Sequence, residues 1–110
     1  MFKIIDKRTF THDVKVLTPI DGGGFEEEIL TTTFNYVPTD ETDKHDLRKA
    51  DGTTAFLQAV VVTFSGLVDE SAQPLTCTPE IRERLLFHPN ARQALCGHYF
   101  KVVTDIKEGN

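Results

Sequence analysis

The sequence predicts an α+β fold, an N-terminal antiparallel β-hairpin followed by a small bundle of three to four short helices, on three observations. Apolar and polar residues alternate from Phe10 onward; a glycine run separates that stretch from a second extended one; and the C-terminal region carries apolar residues at spacings of three and four. The 110 residues fit one domain, 1-110, with the hairpin at about 10-37 and a helical part at about 40-107. A chain of this length buries roughly 65% of the surface it exposes when unfolded, enough for one modest core.

Each element has its own signal. Phe10, Val14, Val16 and Ile20 fall on one side of an extended strand and Thr11, Asp13 and Lys15 on the other, the period of a strand with one buried face. Asp21-Gly22-Gly23-Gly24 supplies a turn, and Phe25 to Val37, rich in Thr31, Thr32, Thr33, Phe34 and Tyr36, supplies the return strand that Pro38 closes. Thr39 to Ala50 runs from acidic to basic. That order suits a short solvated helix, because front carboxylates and rear cations oppose the backbone dipole, and Asp51-Gly52 is expected to stop it. Leu57, Val60, Val61 and Phe64 then fall at helical spacing behind Thr53 or Thr54 as a cap. Yet Val60 to Phe64 is equally the β-branched and aromatic run of a buried strand, so residues 54-64 stay open between helix and strand. Thr78 is a natural N-cap, Pro79 fits the first helical position, and Glu80 stabilises the positive end of a helix reaching about Leu86. His88-Pro89 breaks the chain and restarts it, with His88 placed to cap the final helix. There Ala91, Ala94, Leu95, His98, Tyr99, Val102, Val103 and Ile106 form one apolar stripe, and Lys107 to Asn110 end in solvent.

Charge and spacing exclude several chemistries. Seventeen acidic residues against twelve basic ones give a net charge of −5, so the surface repels phosphate polymers and anionic lipid; the expectation is no nucleic acid and no membrane as partner. Met1 to Arg8 lacks the apolar run of a signal peptide, and Ala59 to Val62 is too short to span a bilayer, so the expected location is the cytoplasm. Cys77 and Cys96, with no Cys-x-x-Cys, read as ordinary reduced thiols. Asp21 to Gly24 lacks the Lys-Ser/Thr of a phosphate loop and is followed by Glu26, Glu27 and Glu28, which would repel a phosphate. Those three glutamates read as a solvated strand edge, charged against aggregation. The histidines His12, His45, His88 and His98 have no metal-ligand spacing; His45 is expected on a solvated surface and His98 hydrogen-bonded inside the core. Cys96 and His98, two apart on a helix, point away from each other. No catalytic residue, cofactor-binding residue or metal ligand set is nominated, no cofactor is expected, and the expectation is a protein that is not an enzyme.

One succession of residues carries more. Phe64-Ser65-Gly66-Leu67 leads into the acidic turn Val68-Asp69-Glu70-Ser71-Ala72-Gln73, then Pro74-Leu75, then Thr78-Pro79-Glu80-Ile81 and a helix that ends at Phe87-His88-Pro89. This resembles the phage tail assembly chaperones, as does the opening β pair with Thr18-Pro19 before the glycine turn. Phe64 stands where that family usually has tryptophan, and Ser71-Ala72 where it has Asp-Gly, which removes the glycine that makes a tight turn easy. The resemblance tips residues 54-64 towards helix. It implies a non-enzymatic assembly factor made by a bacteriophage or prophage, located in the host cytoplasm and not part of the mature virion. Its partner would be the tape measure protein, kept soluble during tail assembly, with the tail tube protein and a homo-oligomer also within its scope. The implied partner-binding residues are Ile81, Leu85, Phe87 and Tyr99, around the Thr-Pro-Glu helix and the last helix. The rival expectations are a structural minor tail or tail-completion protein of the virion, or a small acidic inhibitor protein.

Overall fold

Alternation at the N-terminus resolves into two long strands in the computed structural model, which describes residues 1–105. Strand β1 spans Thr9–Pro19 and β2 spans Phe25–Asn35, antiparallel in a register that pairs Pro19 with Phe25, Val14 with Leu30 and Phe10 with Phe34. The turn between them is made by Gly22, Gly23 and Gly24 at φ of 83°, 100° and 84°, a left-handed run that side chains with a Cβ resist. As expected, Val14 and Val16 are buried and Lys15 faces solvent. Ile20, expected on the buried side, is instead 49% exposed, because the hairpin outruns the helices that cover its inner face.

The centre of the chain departs furthest from expectation. Helix α1 is a single turn, Thr39–Thr42, not a helix to Ala50. The Asp46 carboxylate accepts hydrogen bonds from the Arg48 backbone N–H at 3.0 Å and from its guanidinium at 3.0 and 3.2 Å, a local closure that competes with helical bonding. Asp51-Gly52 does not stop a helix; it lies in the first turn of helix α2, Ala50–Val60. Gly52 is there because the Asp46 carbonyl passes directly over its Cα, leaving no room for a Cβ. Lys49 occupies the N-cap position with no side-chain bond. Thr53 and Thr54, expected as caps, instead donate backwards to the carbonyls of Lys49 and Ala50 at 3.1 and 3.0 Å.

Residues 54-64 are both helix and strand. Helix α2 passes without a loop into β3, Val61–Ser65, which pairs antiparallel with β2 between Thr31 and Phe34, so the all-helical expectation fails from Val61 onward. The β-branched run is a poor helix and a good strand, and the edge of β2 offers it a ladder. The resulting sheet runs β1-β2-β3. A second, two-residue ladder joins β4, Leu67–Val68, to β5, Pro74–Leu75.

Helices α3, Pro79–Leu86, and α4, Pro89–Asp105, complete the fold. Thr78 Oγ1 accepts the Ile81 N–H at 3.2 Å, and His88 Nδ1 accepts the Ala91 N–H at 3.2 Å, so both expected caps are present. Ala91, Leu95 and Tyr99 turn the stripe of α4 onto the sheet, where Val14, Val16, Leu30, Phe34, Phe56, Leu57, Val60, Val61, Phe64 and Leu86 form the rest of the core. Aromatic rings knit its centre: Phe10 stacks on Phe34 at 5.1 Å, and Phe56 on Phe100 at 5.0 Å. Ile106 and Lys107 to Asn110 lie outside the described residues.

Candidate functional site

The surface between the small β4-β5 ladder and helix α3 is an apolar trough. Its geometry starts at Gly66, whose φ of 70° turns the chain out of β3 and away from β2. Leu67 and Val68 then pair with Leu75 and Pro74. The turn joining them is held by Asp69, whose Oδ1 accepts the N–H groups of Ser71 and Gln73 at 2.8 and 3.0 Å. Ala72 sits at φ 62°, the left-handed conformation that a glycine would adopt without strain.

Opposite this ladder, α3 presents Ile81 and Leu85, one turn apart, while Leu86 points into the core. The other side of α3 is fixed by Arg82, whose guanidinium donates to the Val61 carbonyl at 2.7 Å and to Gln58 Oε1 at 2.7 Å. This ties the helix to the α2-β3 junction. The depression has a volume of about 470 Å³ and is lined by Leu67, Val68, Leu75, Ile81 and Leu85, with Asp69, Arg84 and His88 at its rim. Val68 and Leu75 remain 57% and 40% exposed. A second depression of about 240 Å³ shares Leu67, Val68, Leu85 and His88 and extends under the hairpin to Val16 and Leu30. The two depressions are neighbours that share these four side chains, and the first is an apolar channel between the ladder and α3.

Of the four expected partner-binding residues, Ile81 and Leu85 line this channel. Phe87 lies outside it at the end of α3, 56% exposed, with the Arg92 guanidinium 5.6 Å from its ring centroid. Tyr99 is 2% exposed and its hydroxyl accepts the Val37 N–H at 3.1 Å; it holds the core together and presents no free surface. Leu67, Val68 and Leu75 were not among the expected partner-binding residues: in sequence they close the apolar segment, open the acidic turn and follow Pro74. The Gly66 and Pro74 that bracket the acidic turn were the available signal for a tight hairpin there.

Polar groups elsewhere have structural settings. His12 and His98 share a hydrogen bond of 3.0 Å between Nδ1 and Nε2, linking β1 to α4, and the His98 ring stacks on Phe34 at 5.9 Å. Partial burial lowers the His98 pKa, helped by the nearby His12 and Lys101. His45, expected in solvent, is half-buried edge-on to Phe56, and its Nε2 finds no partner among the described residues. Cys77 and Cys96 are free thiols; burial pushes the Cys96 pKa up, which disfavours the thiolate, with Arg92 opposing it weakly. Among the described residues, no three His, Cys, Asp or Glu side chains converge to hold a metal ion, and no helix is long and apolar enough to cross a membrane. Comparison of the chain with protein-family models, with curated proteins and with solved structures finds no match in any of the three.

Proposed function

We propose that the chain is a phage tail assembly chaperone, which binds the tape measure protein through the apolar channel and keeps it soluble until the tail tube forms around it. The observation that carries this reading is the channel between β4-β5 and α3, where Val68 and Leu75 stand exposed and Leu67, Ile81 and Leu85 are only half-buried, so that all five would gain by further burial. A groove walled by a helix and a small ladder suits helix-in-groove binding, in which side chains at i, i+3, i+4 and i+7 of a client enter together. The succession from Phe64 to Pro89 that resembles the tail assembly chaperones supplies both walls. Chaperoning follows by mass action: a partner bound only before assembly withdraws it from aggregation and releases it when tube subunits compete.

Co-expression with the cognate tape measure protein tests the reading. The expected result is a soluble complex that co-purifies and a chain absent from finished tails. Ile81→Asp and Leu85→Asp are expected to lose client solubility while the variants themselves keep a cooperative melt. Stoichiometric incorporation of the chain into purified particles would replace this reading with that of a structural tail part.

A further inference from the structure

The sheet leaves half of its central strand unpaired on one side. Strand β2 runs from Phe25 to Asn35, but β3 meets it only between Thr31 and Phe34; Thr31 opposite Ser65 is the last pair. Had β3 continued, Leu67 would lie beside Ile29. Gly66 turns it away instead, and Leu67 and Val68 pair with β5. From Phe25 to Leu30, therefore, every second residue of β2 offers a backbone N–H and C=O with no ladder partner on that side among the described residues.

The place that β3 vacates is a cleft of about 240 Å³ between Glu28–Leu30 on one wall and Gly66–Val68 on the other, with Val16, Leu85 and Ala91 within. An edge that is only protected by its charge needs no such apolar slot beside it. We infer that this edge takes up an extended segment of another polypeptide by strand addition, a segment in which apolar residues alternate with basic ones. Its apolar side chains enter the cleft beside Leu30 and Leu67, and the intervening cations lie along Glu27 on the outer face, with Glu26 and Glu28 adding to the negative field. Charge selects this occupant over a second copy of the chain. Antiparallel self-pairing centred on Glu27 would set Glu26, Glu27 and Glu28 of one copy against the same three of the other, and like charges directly opposite destabilise a ladder. Among the described residues the only ion pair to these glutamates is Lys15 to Glu27 at 3.8 Å, with both side chains more than half exposed, so they are free to meet incoming cations. The inference concerns the β2 edge and an extended segment, and the chaperone reading the α3 face and a helix; Leu67, Val68 and Leu85 border both, so protection at Phe25–Leu30 against protection along α3 tells the two apart.

The test uses the full chain and a synthetic peptide, acetyl-(Lys-Val)3-Lys-amide, beside the same peptide with all its backbone nitrogens methylated and a Glu-Val analogue. The expected result is saturable binding of the Lys-Val peptide, with amide shifts and slowed hydrogen exchange confined to Phe25–Leu30 and Gly66–Val68. Binding should weaken about tenfold with Glu27→Lys and be lost to the methylated peptide, which keeps charge but lacks ladder donors. Equal binding of the methylated peptide, shifts mapping elsewhere, absence of binding, or a dimer of the free chain formed through this edge would each overturn it.

Discussion

Gly52→Ala and Gly97→Ala are the same chemical change in two helices, and the structure gives them opposite signs. At Gly97, on the exposed side of α4, an added Cβ meets nothing within 4 Å. Alanine there gains roughly 0.5–1 kcal/mol from helix propensity and a less disordered unfolded chain. At Gly52 the same Cβ collides with the backbone of Asp46, not with a flexible side-chain tip. Moving it means shifting the Asp46–Arg48 closure that sets the entry to α2, a cost of about 1–3 kcal/mol by analogy with overpacked cores. Thermal unfolding followed by circular dichroism at 222 nm resolves the difference, since about 1 kcal/mol moves the Tm of a domain this size by roughly 4 °C. The expected outcome is a Tm raised by about 2–4 °C for Gly97→Ala and lowered by about 4–12 °C for Gly52→Ala. A neutral or stabilising Gly52→Ala would refute the close approach of Asp46 and restore a helix-stopping role to Asp51-Gly52.

Three further outcomes follow from the packing. Tyr99→Phe removes the acceptor for the half-buried Val37 N–H and should cost about 1–2 kcal/mol in a chemical-denaturation midpoint, whereas an unchanged midpoint would place Tyr99 at the surface. Ala72→Gly relieves a left-handed alanine and should stabilise by about 1 kcal/mol; a loss of stability would mean that the turn is not left-handed there. His98 has a folded-state pKa below its ordinary 6.5, so the unfolded chain binds the extra proton and stability falls as pH drops through 6.5 towards the folded value. Melting profiles between pH 5 and 8 should show that loss, and His98→Gln should flatten it.

Local chemistry made the ends of this chain legible. The hairpin was visible because its inner face is buried and a one-residue slip would expose Val14, Val16 and Leu30 together. Thr78 and His88 were visible as caps because capping is a bond between near neighbours in sequence. The middle was not. Whether Val61 continues α2 or begins β3 depends on an open ladder on β2, a partner far away in the chain. Gly52 looked like a helix terminator because nothing in its neighbourhood reveals the Asp46 carbonyl above it. The candidate site divides in the same way. Ile81, Leu85 and Tyr99 were named because the resemblance points to the Thr-Pro-Glu helix and the last helix, but neither resemblance nor spacing says whether a face meets the core or the solvent, and Tyr99 is core. Leu67, Val68 and Leu75 needed the Gly66 turn to bring them opposite α3.

Hydrogen exchange of the chain, free and bound to the cognate tape measure protein, tests the central claim most directly. If the channel is the client surface, slowed exchange on binding will fall at Leu67 and Val68, at Leu75 and along α3 from Glu80 onward, and Leu85→Asp will abolish it. Protection confined to other segments, or no complex at concentrations that keep the tape measure protein in solution, would contradict the account.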